Sequence, residues 1–447
     1  MIRSYQFRIL SPSLGVPCIP SVVRVLRLLI LGGVAFLSAQ SLSVVATASV
    51  SASASALRLS NSVFSIKTAF AAAWQRQPEA QSFGAFQAAA QQRQSAAHSF
   101  TAAPATLGLS AKSDQINQNQ GSREVEFGAT VPLWWPGERA RAGSLAQAEA
   151  VAVGARLQAA QLRTAGVVRE AVWAWQRAQL DAALVQDRLR SAQALAADVA
   201  KRVAAGDLAR ADQHEADGNV AAAQGSVIDS KAALLAAVLQ LRVLTGATPS
   251  SEHLSESEVT PKVDSSASAI LSHAEVADYM ARAEIAKRNT DLVKVQQDAN
   301  PELSIVTSRD RAGFAEPYRQ SLSIGLRVPF GSGARQRAKA AAATAEFLEL
   351  EMQANAIRDR VAASIDIANQ RLALMVLQQD NANKRAQLAK ESRGFVDKAL
   401  RAGEIDLPKR LAAEREVSDA ASSAARAQID VSAAVSALRQ AMGLLPN

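Results

Sequence analysis

Residues 124–137 read EVEFGATVPLWWPG and residues 321–334 read SLSIGLRVPFGSGA, the second stretch 197 residues after the first. In the first, Val125, Phe127, Ala129, Val131 and Leu133 alternate with Glu124, Glu126, Gly128 and Thr130. In the second, Leu322, Ile324, Leu326, Val328 and Phe330 alternate with Ser321, Ser323, Gly325 and Arg327. A period of two puts apolar side chains on one face of a strand and polar ones on the other. Upstream partners are Ala105 to Ala111 and Glu302 to Ser308, across the polar loops Lys112 to Ser122 and Arg309 to Tyr318, so the pattern predicts two β-hairpins.

The same offset runs on in both directions, which marks an internal duplication. Pro104 matches Pro301, Gly206 matches Gly403, and Gly246 matches Gly443. Between the glycines, Val220, Ala223, Val227, Ser230, Leu234, Ala237, Leu241 and Leu244 map onto Val417, Ala420, Ala424, Ala427, Val431, Ala434, Leu438 and Ala441. Steps of three and four give the 3.5-residue period of a coiled-coil seam. The preceding helix carries it too, from Val168 through Ala171, Trp175, Ala178, Ala182, Val185, Leu189, Ala192, Ala196 and Val199 to Val203. Its copy begins with Ile365, Ala368, Leu372 and Met375, then admits Gln379 and Arg393, which predicts a less uniform second seam.

No proline or cluster of turn residues interrupts Gly137 to Gly206. A single helix of up to ~65 residues there measures about 100 Å at ~1.5 Å per residue. Gly206-Asp207 breaks the period, and a second helix returns to Thr245-Gly246, where glycine closes it. Each repeat is therefore a helix, two strands and a very long helical hairpin: residues 57–246 for the first and 269–447 for the second. A Ser-, Glu- and Pro-rich linker at 247–268 should run over the surface between them.

Composition agrees with long helices. Of 447 residues, 49% are hydrophobic but only 4% aromatic, and Ala dominates, so burial must come mainly from close backbone approach. The apolar run Leu28 to Leu37, behind Arg24 and Arg27 and before small residues, has the form of a secretory signal, with cleavage near Ala48 or Ala56. Residues 1–56 are thus a signal and processing region. Cys18, the one cysteine, lies before that run and is not a lipoprotein cysteine, so the mature chain has none. Removing Arg3, Arg8, Arg24 and Arg27 leaves 45 basic against 41 acidic residues, too even a balance for nucleic-acid binding.

Exported strands of about 9 to 11 residues, apolar on one face, suit a membrane β-barrel with a wet lumen, although a soluble sheet needs the same alternation. Trp134-Trp135 at a strand end suits an interfacial belt or plain packing. Four strands cannot close a membrane barrel, so a chain that spans the membrane this way must oligomerise.

This order of elements behind a signal peptide resembles the TolC family of outer-membrane efflux channels. The points of likeness are Gln77-Pro78-Glu79 after the first helix, Val131-Pro132-Leu133 and Val328-Pro329-Phe330 at the strand-to-helix junctions, and the tip segment from Arg202 through Gly206, Asp207 and Leu208 to Asp212. The length and short outer loops look most like the branch serving metal-ion efflux pumps. The resemblance implies a homotrimer, four strands per chain forming a 12-stranded β-barrel in the outer membrane of a Gram-negative bacterium and the helices a periplasmic α-barrel. It implies as partners outer-membrane lipid, a periplasmic adaptor and an inner-membrane transporter of the resistance-nodulation-division type. It places the gate and adaptor contact at Arg202, Gly206, Asp207, Leu208 and Asp212, and at Gly403, Glu404, Ile405, Asp406 and Lys409. Family members can carry an entrance aspartate six residues after the second tip glycine; this chain has Lys409 there, with Asp406 and Glu404 as the acidic residues nearby.

No enzyme chemistry is legible. His98, His214, His253 and His273 are scattered, without a second His or Cys at metal-ligand spacing, and Gly331-Ser332-Gly333 lacks the lysine of a phosphate loop. No cofactor or metal site is expected. The competing classes are a periplasmic adaptor, which has one helical hairpin between β-rich modules, and a structural coiled coil of an export assembly, which has no use for duplicated strands.

Overall fold

The computed structural model describes residues 64–447 except 117–118, 207–208, 250–256, 265, 332, 403, 406 and 447. The expected signal region therefore lies outside the described residues, as do Asp207, Leu208, Gly403 and Asp406 of the tips. Among the described residues the chain runs α1 (Ile66–Gln75), α2 (Pro78–Ala97), β1 (Thr106–Ser113), β2 (Arg123–Pro132), α3 (Glu138–Ala204) and α4 (Arg210–Thr245). It then repeats as α5 (Ala267–Leu271), α6 (Ala274–Val293), β3 (Glu302–Arg311), β4 (Arg319–Arg327), α7 (Gly333–Arg401) and α8 (Leu407–Ala441).

The long helices form as their sequences dictate. α3 has 67 residues and α7 has 69, each about 100 Å at ~1.5 Å per residue. Gly137 enters α3 at φ +80°, and Lys201 and Arg202 place positive charge in its last turn, against the negative end of the helix dipole. Gly206 at φ +86°, Gly246 at φ +78° and Gly443 at φ +74° take the left-handed conformation that ends or turns a helix, as the repeat pattern predicted. Among the described residues no atom lies within 4 Å of where a Cβ on Gly206 would stand, so no contact within the chain requires a glycine there and the positive φ does.

Packing follows the seams. Leu189, Ala223 and Val227 form one buried cluster of the first hairpin, with Val185, Ala192 and Val220 against it. In α8, Ala420, Ala427, Ala434 and Leu438 are buried at the mapped positions. Small side chains let the backbones close up and preserve interior packing density without bulk. Two layers are bulkier: Ile66 and Ala69 of α1 pack on Val168, Val172, Trp173, Trp175 and Leu241, with Phe64 edge-on to Trp175 at 5.1 Å, and Val276 of α6 packs on Ile357, Val361 and Ile365 of α7. At the polar seam position, Arg393 meets Glu414 at 3.4 Å, and Arg385–Glu416 (2.9 Å) and Arg410–Asp397 (3.2 Å) add to this stitching of α7 to α8.

The strands form one antiparallel sheet in the order β1-β2-β3-β4. Thr106 pairs with Thr130, Arg123 with Arg311, and Glu302 with Arg327. The strands extend past their expected loop-side ends, to Ser113 and Arg311. Charge does not end them there, because Lys112 bonds Glu124 across the ladder at 3.1 Å and Arg309 lies over the Tyr318 ring at 4.6 Å. Conversely β4 stops at Arg327, and Val328, Pro329 and Phe330 lie beyond it. Its partner β3 starts at Glu302 after Pro301, and neither proline has an N–H to continue a ladder.

The linker runs over the surface at Val259, yet the neighbouring Glu258 turns its side chain inward. Its carboxylate accepts two bonds from Arg169, at 2.9 and 2.6 Å, and one from Arg439 at 3.2 Å. Arg169 also donates to Gln440 (2.6 Å), which donates to Leu162 O (2.8 Å), and Arg439 donates to Val259 O (3.1 Å). The linker thus ties α3 to α8 through a buried, fully bonded network.

At the start of α6, His273 caps the helix with Nδ1, accepting the Glu275 N–H at 3.3 Å, and lies so close to Gly443 that a Cβ there would come within 2.7 Å of the ring. Burial pushes the His273 pKa below the usual imidazole value, with Glu275 opposing. A neutral imidazole is therefore favoured in the fold, and the unfolded chain binds more protons as pH falls. The stabilisation is full above the unfolded pKa near ~6.5 and drains away as pH drops below it toward the folded value. Thermal melts from pH 7.5 to 5.5 should show a shallower loss of Tm in His273→Asn, which keeps a cap, than in the parent; equal slopes would refute it.

Candidate functional site

The sheet has two chemically distinct faces. Leu107 and Leu109 of β1, Val125 and Phe127 of β2, Ile305 of β3, and Leu322, Ile324 and Leu326 of β4 share one face by register, and all are exposed. On the other, Ser110, Glu126, Ser308 and Ser321 form a row across all four strands, joined by Ser110–Glu126 (2.9 Å) and Ser308–Ser321 (2.7 Å). A contiguous apolar sheet face without cover is unusual on a monomer and marks contact with lipid or protein. The edges β1 and β4 are both unpaired, leaving two rows of backbone groups open. No helix among the described residues is long and apolar enough to cross a membrane.

At the sheet-to-helix junction, Glu138 is 1% exposed, and its Oε2 accepts the Trp135 N–H (3.0 Å) and Asn300 Nδ2 (2.8 Å). Asn300 also donates to Leu133 O at 3.0 Å. Sequence reading missed both residues; a lone glutamate after Pro-Gly reads as a first-turn helix acid, and its partner is 162 positions away. Trp134 and Trp135 sit just past β2, their indole N–H groups held by Ser99 O (3.2 Å) and Ala299 O (3.0 Å). Glu138→Ala strands the Trp135 amide and the Asn300 amide, so it should cost about 1–3 kcal/mol, whereas a Gln retains an acceptor. Equal unfolding midpoints for Ala and Gln variants would refute that role.

At the tips, the Asp212 carboxylate accepts the Ala209 N–H at 3.0 Å and caps α4. Lys409, its counterpart in the repeat, has no carboxylate with which to do so. Arg202 pairs with Asp198 on its own helix at 3.7 Å, and the Glu404 N–H donates to Ala399 O at 3.0 Å. Ile405 is half-buried beside it, and His214 is exposed. Among the described residues no group of three or more His, Cys, Asp or Glu converges as a metal site.

Above the tips the first hairpin is bound to the second by rungs of opposite charge. Arg177 pairs with Asp430 at 2.9 Å, Asp181 with Arg426 at 2.7 Å, and Arg188 with Asp419 at 3.8 Å. Each step down α3 is matched by an equal step up α8, the register of antiparallel helices. A fourth tie joins Asn219 of α4 to Arg415 at 3.0 Å. Apolar side chains also stand exposed there: Ile367, Leu374, Leu388 and Phe395 of α7 lie at multiples of seven on one stripe.

No family model and no curated protein matches the sequence. Solved structures do match it, over nearly its whole length. The outer membrane protein VceC from Vibrio cholerae aligns at 17% identity with a TM-score of 0.66, over 85% of this chain and 96% of that one. The transmembrane channel CusC aligns at 13% identity and a TM-score of 0.69, over 85% and 92%. The MtrE outer membrane channel of Neisseria gonorrhoeae, in its open state, aligns at 14% and 0.66, over 85% and 89%. The chain has the TolC-family fold. The resemblance drawn from the tandem strand and hairpin pattern is thereby borne out as architecture: duplicated helical hairpins plus four strands per chain.

Proposed function

We propose that three copies of this chain form a passive duct across the outer membrane of a Gram-negative bacterium. The observation that carries this reading is the four-stranded sheet with an uncovered apolar face, a polar opposite face and two open edges. Backbone groups cannot remain unpaired in hydrocarbon. Joining β4 of one copy to β1 of the next removes every edge and gives 12 strands, with the apolar faces in lipid and the serine-rich faces lining water. Trp134 and Trp135 then stand at the periplasmic membrane edge, with the helices continuing into the periplasm.

The hairpin tips, Arg202, Gly206, Asp207, Leu208 and Asp212 with Gly403, Glu404, Ile405, Asp406 and Lys409, form the gated entrance and the contact for a periplasmic adaptor. The adaptor links the duct to an inner-membrane transporter of the resistance-nodulation-division type, which supplies the energy and selects a metal cation or a drug. The short outer loops favour the metal-ion branch. The duct itself catalyses nothing.

The test is the mass of the unboiled protein from outer-membrane fractions in detergent, followed by planar-bilayer conductance. A trimer-sized species with a small, mostly closed conductance is expected, rising when Asp212 or Lys409 is substituted. A soluble periplasmic monomer without conductance would overturn the reading.

A further inference from the structure

The apolar sheet face does not end in neutral residues at its hairpin-loop end. By register, Arg123 of β2 stands opposite Arg311 of β3, and Arg309 lies two residues from Arg311 on the same face. Like charges placed directly opposite across a ladder repel. Asp114 answers only one of them, bonding Arg123 at 2.6 Å. Arg309 and Arg311 have no carboxylate partner among the described residues.

These guanidinium groups are nonetheless held in place. Both lie over the Tyr318 ring, at 4.6 Å for Arg309 and 4.9 Å for Arg311, and Arg311 also lies over Phe314 at 5.4 Å. Arg311 Nε donates to Gly121 O at 3.0 Å, leaving its two terminal nitrogens without a protein acceptor among the described residues. The two loops that frame the cluster are latched, the Phe314 N–H donating to Gln120 O at 3.1 Å. Gly121 makes that approach possible: at φ +97°, a Cβ there would fall 2.5 Å from Phe314 N.

Ten residues of strand at ~3.3 Å each, tilted by about 40°, cover ~25 Å, the height of a barrel's apolar band. The arginines therefore sit at the outer rim of that band, where lipid head groups begin. A planar guanidinium with two free donors matches a phosphate bidentately, and its charge at a lipid-facing position is compensated when it does. We infer that Arg309 and Arg311, with Arg123 beside them, form a binding site for the phosphate groups of outer-leaflet glycolipid. The inference rests on the membrane reading above, which sets that face against lipid.

The experiment uses the full mature chain, first inserted into vesicles of zwitterionic phosphatidylcholine. It is then taken in detergent micelles and titrated with diphosphorylated lipid A, with the same lipid dephosphorylated, and with inorganic phosphate. Thermal unfolding reports binding. The parent should gain Tm with phosphorylated lipid A only, and Arg309→Gln/Arg311→Gln should bind it about tenfold more weakly or worse, each shift being read against that protein's own Tm in lipid-free micelles. Should that variant misfold, Arg309→Lys/Arg311→Lys, which keeps the charge but loses the fork, supplies the comparison and should also bind more weakly. Insertion into the vesicles without a phosphate-dependent shift, an equal shift from free phosphate, or an equal shift in both variants overturns this inference alone. Failure to insert overturns the membrane reading beneath it.

Discussion

Replacing Glu258 by Ala should destabilise the protein by about 3–5 kcal/mol, the largest loss expected from any single substitution described. The Arg169 and Glu258 side chains are 3% and 6% exposed, and Arg439 is nearly as deeply buried. Removing the carboxylate leaves two guanidinium groups away from water with no counter-charge. That loss is different from the net worth of the network, since charges already desolvated on folding offset much of what their attraction returns. Replacing Arg169 and Arg439 by Met together with Glu258→Leu should therefore recover much of the stability. Thermal unfolding of the single and triple variants in detergent checks this; a single variant within about 1 kcal/mol of the parent would mean that solvent reaches the arginines.

On the proposed function, neutralising the rungs between the hairpins should open the duct. Asp181→Asn, Asp419→Asn and Asp430→Asn together remove three pairs whose partners are roughly half-exposed, so each contributes no more than ~1 kcal/mol and is screened by salt. About 2 kcal/mol for the set is a roughly thirtyfold shift in a closed–open equilibrium. Single-channel recording should show open probability rising by that order, with raised ionic strength giving the same trend in the parent and little in the variant. The lever is long: from Arg188 to Ala204, α3 continues about 24 Å at ~1.5 Å per residue. Conductance that is unchanged, or lower, in the triple variant would remove the rungs from any account of gating.

The sequence by itself determined the repeat, the seams, the length of α3 and α7, and the alternation of β2 and β4. These are properties of nearest neighbours along the chain, where a period of two or of 3.5 and a glycine at a helix end act locally. Only the tertiary structure decided what joins segments far apart. Glu258 lies in a linker whose composition reads as solvated surface, and its burial depends on two arginines 89 positions before it and 181 after. Glu138 has the look of a helix-start acid, but the start of β3 makes it the bolt of the sheet junction. The rungs from α3 to α8 are exposed charges on two amphipathic helices, and no periodicity states which charge faces which. Arg309 and Arg311 read as loop residues because charge is disfavoured on an apolar strand face. It was the ladder with Arg123 and Val125 that carried β3 on to Arg311 and put both on the apolar face. Local pattern fixes where each side chain points, whereas partnership between charges is settled by which elements the fold brings together.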